Sequence, residues 1–233
     1  MKMKVSKTTY NTDSVLALSI AIDREQGFIK SGFGYYDYGR GVQVHDNKTA
    51  IAMALVATEQ TIDVTDEDRA LAQVIKTSFK EELIAKKLMN KLNQFEESVL
   101  NSIAVDAVDN FGVSILASLP NSYRVQKKRQ TLDNWFDAHR ATSEFVGKIG
   151  DRVKFDVEVK DVKFIAKFGI HLVTCINDDG NIVKFFFNRE PDIAGLLEGK
   201  RIVLTGKVKT HDVSKFSDCK ETVLNYVKIE NKG

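Results

Sequence analysis

The chain has 233 residues, enough for one large folded unit or two small ones, and a composition of 43% hydrophobic and 28% charged residues excludes a mainly disordered protein. A formal net charge of +2 excludes histone-like binding of polyanions, and two cysteines, Cys175 and Cys219, exclude a disulfide scaffold and imply a reducing, intracellular, cytoplasmic setting. No apolar run approaches the roughly 20 residues of a membrane span, and "VLALSIAI", after the basic start "MKMKVSKTTY", runs straight into Asp23 and Arg24, so neither a membrane span nor a signal peptide is expected.

In chain order, "SVLALSIAI" (Ser14 to Ile22) reads as a strand, and "GFIKSGFGYYDYGRGVQVH" alternates glycine with aromatics as hairpins do. The glycine spacing there fits neither a phosphate loop nor a dinucleotide fingerprint. Lys48 to Ala57 is helical in composition. Thr65 with Asp68 forms a capping box that opens a helix, and helix capping accounts for the acidic run Thr65 to Asp68 without a metal ion. A second box, Ser78 with Glu81, predicts a long amphipathic helix over 79–105 with Ile84, Leu88, Leu92, Phe95, Val99 and Ile103 as its stripe, a face for core packing or homo-oligomerisation. Leu119 to Gln130 is polar and basic with a Pro-Asn turn, and reads as a connector. "TLDNWFDAHR" then gives a short helix with Leu132, Trp135, Phe136 and His139 on one face.

After Gly147 the pattern changes to short alternating strands. "RVKFDVEVKDV" sets Val153, Phe155, Val157 and Val159 against Arg152, Lys154, Asp156 and Glu158. "FGIHLVTCIN" is expected to turn Ile170, Leu172 and Ile176 inward and His171, Val173 and Cys175 outward. "NDDGN" is a hairpin turn into "IVKFFF", where Val183, Phe185 and Phe187 face inward and Lys184 and Phe186 outward. "RIVLTGKVKTH" and "ETVLNYVKI" complete five strands, with "EPDIAGLLEGK" as a helix or loop between the third and fourth. The fold class is therefore α+β, with a mixed N-terminal domain over 1–145 and a β domain over 146–233. The latter carries 16 Lys and Arg against 13 Asp and Glu, a mild tilt towards a polyanion partner.

The strand order, the "LEGKR" entry to the fourth strand and its "GKVK" ending resemble the OB (oligonucleotide/oligosaccharide-binding) modules of nucleic-acid-processing proteins, phage-encoded ones included. The resemblance covers about 146–230 and implies a five-stranded barrel with its ligand across the second and third strands, between the first and last loops. It places Phe186, Lys184 and His171 on the binding face with Lys154, Lys163, Phe164 and Lys167 beside the first loop. Lys207, Lys209, His211, Lys215 and Phe216 lie towards the last. Arg124, Lys127, Lys128 and Arg129 could extend the phosphate track. Aromatics for stacking interleaved with cations suit single-stranded nucleic acid, DNA favoured, in replication, recombination or repair. Such proteins often end in an acidic tail that recruits replication or repair partners. This chain ends "VKIENKG".

Two other readings stay open. The barrel could be a protein–protein docking module of a nucleic-acid-processing or viral assembly, or the grip of a nuclease-like enzyme using carboxylates such as Asp23, Asp37 or Asp46. No nucleophile elbow or acid/base pair is apparent, so no catalytic residue is assigned and binding is favoured over catalysis. His171, Cys175, His211 and Cys219 match no zinc spacing, and neither metal nor cofactor is expected.

Overall fold

The computed structural model describes residues 8–58, 62–192 and 194–230, so most of the basic start and the final "NKG" lie outside the described residues. They are mixed α+β and divide into two units, 1–127 and 128–233, each with its own buried apolar cluster. Among the described residues no helix is long and apolar enough to cross a membrane.

In the first unit β1 (Tyr10–Asn11) leads into α1 (Thr12–Gln26), capped by the Asn11 side chain, which accepts from the Ser14 amide at 2.9 Å. The strand expected over Ser14 to Ile22 is thus a helix. Val15, Leu16, Ala17, Ile20, Ala21 and Ile22 are all buried, and a helix enclosed on every side has no polar face from which a 3.6-residue period can be read. The buried Ser19 hydroxyl donates to the Val15 carbonyl at 2.7 Å.

The aromatic-rich segment forms the hairpin β2 (Tyr35–Asp37) and β3 (Val42–Val44), followed by α2 (Asn47–Val56), as expected. α3 (Asp66–Leu88) opens on the expected Thr65–Asp68 box. Ser78 and Glu81, however, lie inside α3, where no helix begins. The helix expected over 79–105 is two: Asn90 turns the chain with φ +55°, and α4 (Gln94–Ile103) starts from a box of Asn93 with Glu96. Of the expected stripe, Val99 and Ile103 are buried, but Ile84, Leu88 and Phe95 are exposed while Leu83 is buried.

β4 (Ala107–Val108) pairs with β1, and α5 (Asn110–Leu116) is capped by Asp109. The segment 119–130, expected as a connector, is instead the first half of α6 (Leu119–His139). Pro120 fits because it occupies the first turn, where amides have no intrahelical acceptor.

In the second unit β5 (Arg152–Ile165), β6 (Ile170–Asn177), β7 (Ile182–Phe187), β8 (Arg201–Val213) and β9 (Lys220–Glu230) close into a barrel in the order β5–β6–β7–β9–β8. All neighbours are antiparallel except β7 and β9. This closed five-stranded barrel is compatible with an OB-like fold. The connection between β7 and β8 is built of turns and sends Leu196 into the core.

β5 alternates as expected to Val159. A bulge before Asp161 then reverses the parity, so that Val162 packs on the core. β6 faces the opposite way from expectation: Val173 and Cys175 are fully buried opposite Phe185 and Val183, while Leu172 lies opposite Phe186 on the outer face. Apolar residues occupy both parities of β6, so its facing is set by pairing with β7 and not by its own alternation.

β8 and β9 cross tightly at Gly206. A Cβ there would sit 3.0 Å from the Leu224 side chain and 3.3 Å from that of Val227. Opposite Gly206, Tyr226 and Val227 form a bulge, with Tyr226 in the left-handed region at φ +51°.

Candidate nucleic-acid interface

The register fixes which side chains meet at the Phe187 end of β7. Lys163, Leu172 and Phe186 form a row across the outer face of β5, β6 and β7, and Phe164, His171 and Phe187 form the row on the other face. Contrary to the expectation from strand parity, His171 therefore does not share a face with Lys184 and Phe186. It packs against Phe164, with ring centroids 5.0 Å apart. The tight turn from β5 to β6 projects Lys167 and Phe168 beyond both rows, with the Lys167 ammonium 5.4 Å from the Phe168 ring centroid.

The β7–β9 ladder stops at Phe185 and Leu224. Beyond it the two strands diverge, and a cleft of about 890 Å3 opens, lined on one side by Phe186, Arg189 and Glu190 and on the other by Tyr226 and Lys228. Phe164, Phe168, Phe186 and Tyr226 each expose at least 50% of their surface. Lys163, Lys167, Arg189 and Lys228 form no ion pair among the described residues. Four rings and four cations without an ion pair among the described residues thus gather at one end of the barrel.

The remaining expected contacts lie elsewhere or are already engaged. Lys184 is partly buried, its side chain 14% exposed, in a 2.6 Å ion pair with the buried Glu221 at 7%, and its ammonium lies 5.1 Å from the Phe136 ring centroid. The end of α6 and the segment after it cause this. Cys219 Sγ donates to the Phe136 carbonyl at 3.3 Å, the Ser143 hydroxyl donates to the Lys220 carbonyl at 2.7 Å, and the Ile182 amide donates to Ser143 Oγ at 3.0 Å. That strap covers the first half of β7 and leaves Phe186 open.

Lys215 and the fully exposed Phe216 sit in the β8–β9 loop, which the register places beside Ile182, at the far end of β7 from Phe187. The continuous face expected from the first loop to the last is therefore interrupted at Lys184. His211 stacks on Phe145 at 4.7 Å, and Lys154 pairs with Glu230 at 2.7 Å. Lys207 and Lys209 are exposed on β8, Lys207 opposite Arg152 and Asn225.

Of the basic track, Arg124 pairs with Asp23, Lys128 with Glu198 and Asp161, and Arg129 with Asp133, while Lys127 lies 5.4 Å from the Tyr123 ring centroid. The three carboxylates named for catalysis also have local work. Asp23 binds Arg124, Asp37 accepts from the Gly39 and Arg40 amides, and Asp46 caps α2. Burial pushes the Cys175 thiol up to about 12, so it is held neutral in the core.

Tyr226, Phe168, Arg189 and Lys228 join this candidate site without a signal in strand alternation. A regular strand through "LNYVKI" turns Tyr226 inward with Leu224, and only the bulge reverses it. The signal available was Gly206, a glycine in the middle of the strand "RIVLTGKVKTHDV". Phe168 stands beside Gly169 in the turn, where an aromatic has no core to enter. Compared with protein families, with curated proteins and with solved structures, the chain matches none.

Proposed function

We propose that this chain binds single-stranded nucleic acid through an OB-like barrel. The observation that carries the reading is the gathering of exposed Phe164, Phe168, Phe186 and Tyr226 at one end of that barrel with Lys163, Lys167, Arg189 and Lys228, which form no ion pair among the described residues. Each aromatic offers a π-face to a base, and stacking contributes about 1–3 kcal/mol per base whatever the sequence. The cations neutralise backbone phosphates, releasing counterions and making affinity fall steeply with salt. A duplex keeps its bases stacked on one another, so the rings have less to hold there.

The test is anisotropy of a labelled strand of about 30 nucleotides against the matched duplex at two salt concentrations. The single strand binds more tightly, its affinity falls as salt rises, and Phe186→Ala weakens it by roughly 5- to 150-fold, which corresponds to one lost stack. Failure of both nucleic acids to bind at low salt would sink the reading and leave the exposed rings as a protein-docking face.

A further inference from the structure

The cleft between β7 and β9 does more than grip a strand: we infer that it reads a base, and that the base is guanine, an inference that rests on the single-strand reading above. Its floor is apolar, since Phe187, Ala194, Val227 and Ile229 line it while packing against the barrel core. Around that floor stand the rings of Phe186 and Tyr226, the cations Arg189 and Lys228, and one carboxylate, Glu190, which has no ion pair among the described residues. Phe186, Arg189 and Glu190 follow one another closely as the chain leaves β7, so a stacking ring, a cation and a carboxylate enter one cleft together.

Glu190 is the residue that phosphate binding does not explain. A carboxylate beside Arg189 and Lys228 repels the same phosphates they attract, with energies of the same order. An ionised carboxylate only accepts hydrogen bonds. Its presence suits a strand only where it meets donors, and the bases differ sharply in supplying them. The Watson–Crick edge of guanine places two N–H donors, N1 and the 2-amino group, side by side, matching the two carboxylate oxygens. Thymine offers one N–H between two carbonyls that the carboxylate repels. Adenine and cytosine each set an amino group beside a ring nitrogen that also accepts. A charge-assisted bidentate pair is the strong arrangement, and only guanine completes it. Stacking on Phe186 or Tyr226 holds the ring while Arg189 and Lys228 take the flanking phosphates.

Three strands of about 30 nucleotides test this by anisotropy: thymidine alone, thymidine with isolated guanines, and the same strand with hypoxanthine at each guanine position. Hypoxanthine keeps N1–H and lacks the 2-amino group, and isolated guanines do not form quadruplexes. The wild type binds the guanine strand about tenfold more tightly than thymidine, with hypoxanthine between. Glu190→Gln, at an exposed position with no core contact to lose, then weakens the guanine strand and tightens the thymidine strand, because it removes both a second acceptor and a negative charge. Opposite signs on the two strands are the signature. If Glu190→Gln tightens all three alike, or the wild type does not distinguish guanine from thymidine, guanine reading is overturned while single-strand binding stands. If no strand binds the wild type at low salt, both fall.

Discussion

Lys184 and Arg189 are five residues apart, and both are cations at a strand or its exit, yet their surroundings assign them different work. Lys184 is enclosed with Glu221 under the Phe136 ring, and Arg189 lines the cleft with no ion pair among the described residues. Removing one member of a buried pair leaves the other uncompensated, so Lys184→Ala is expected to lower stability in urea by about 3 kcal/mol while leaving the salt dependence of binding unchanged. Arg189→Ala should do the reverse, reducing the log–log salt slope by about one with no change in the unfolding midpoint. A Lys184 variant with wild-type stability and a shallower slope would show that the pair opens to phosphate. Strand alternation placed Lys184 on the outer face correctly, but alternation carries no information about what covers that face. The covering residues, Phe136 and Ser143, lie about 40 to 50 residues earlier in the chain.

At the scale of elements, period-two strands were the most legible part, because β5 as far as Val159 and β8 from Gly206 to Lys209 bury one parity and turn the other outward. α1 and β6 were misread for a shared reason: both are apolar on two or more sides, and periodicity vanishes when there is no polar face to mark it. The α3–α4 region failed differently. Ser78 with Glu81 satisfies the capping pattern as well as Asn93 with Glu96 does, and the one that caps is the one after the Asn90 turn. The register of α3 can be checked directly. Leu83 is buried and Leu88 exposed, so Leu83→Ala should cost about 2–5 kcal/mol and Leu88→Ala no more than about 0.5 kcal/mol in denaturant unfolding. Equal losses at both positions would mean that the stripe read from spacing, not the observed one, faces the core. The rings at Phe164 and Phe186 were legible as candidates; Tyr226 was not, because a single bulge inverts its side.

Across the whole molecule the two units differ in their shifted carboxylates. The carboxylates held below their ordinary range all lie in the first unit. At Asp68 burial alone would raise the pKa, but hydrogen bonds from Arg24 and Thr65 outweigh it. At Asp13 the hydrogen bond from Lys76 is the main cause, and at Glu96 the one from Lys86. Raised bases occur in both units: Arg24, Lys86 and Arg124 in the first, chiefly through hydrogen bonds to Asp68, Glu82 and Asp23, and Lys128 and Arg201 in the second, chiefly through Glu198 and Asp178. A carboxylate depressed on folding stabilises above its unfolded value and loses that contribution as pH falls towards its folded one, whereas a raised base keeps its contribution throughout the acid range. Acidification below the ordinary carboxylate values of 3.8 and 4.5 should therefore unfold the helical unit first. Helical circular dichroism reports mainly on α1–α5, and the sole tryptophan, Trp135, reports on the second unit. Dichroism is expected to fall at higher pH than the fluorescence shifts; coincident transitions would show the two units unfolding as one.

The short β7–β9 ladder has a further consequence. It is the barrel's only parallel seam, and it zips for just four residue pairs before the strands part. Elsewhere the wall is stitched by longer antiparallel ladders, so this seam is where the barrel breathes, and its amides should trade protons with solvent sooner than those of β5 or β8. A ligand lodged in the opening would act as a wedge that also seals it, slowing that exchange on both lips at once.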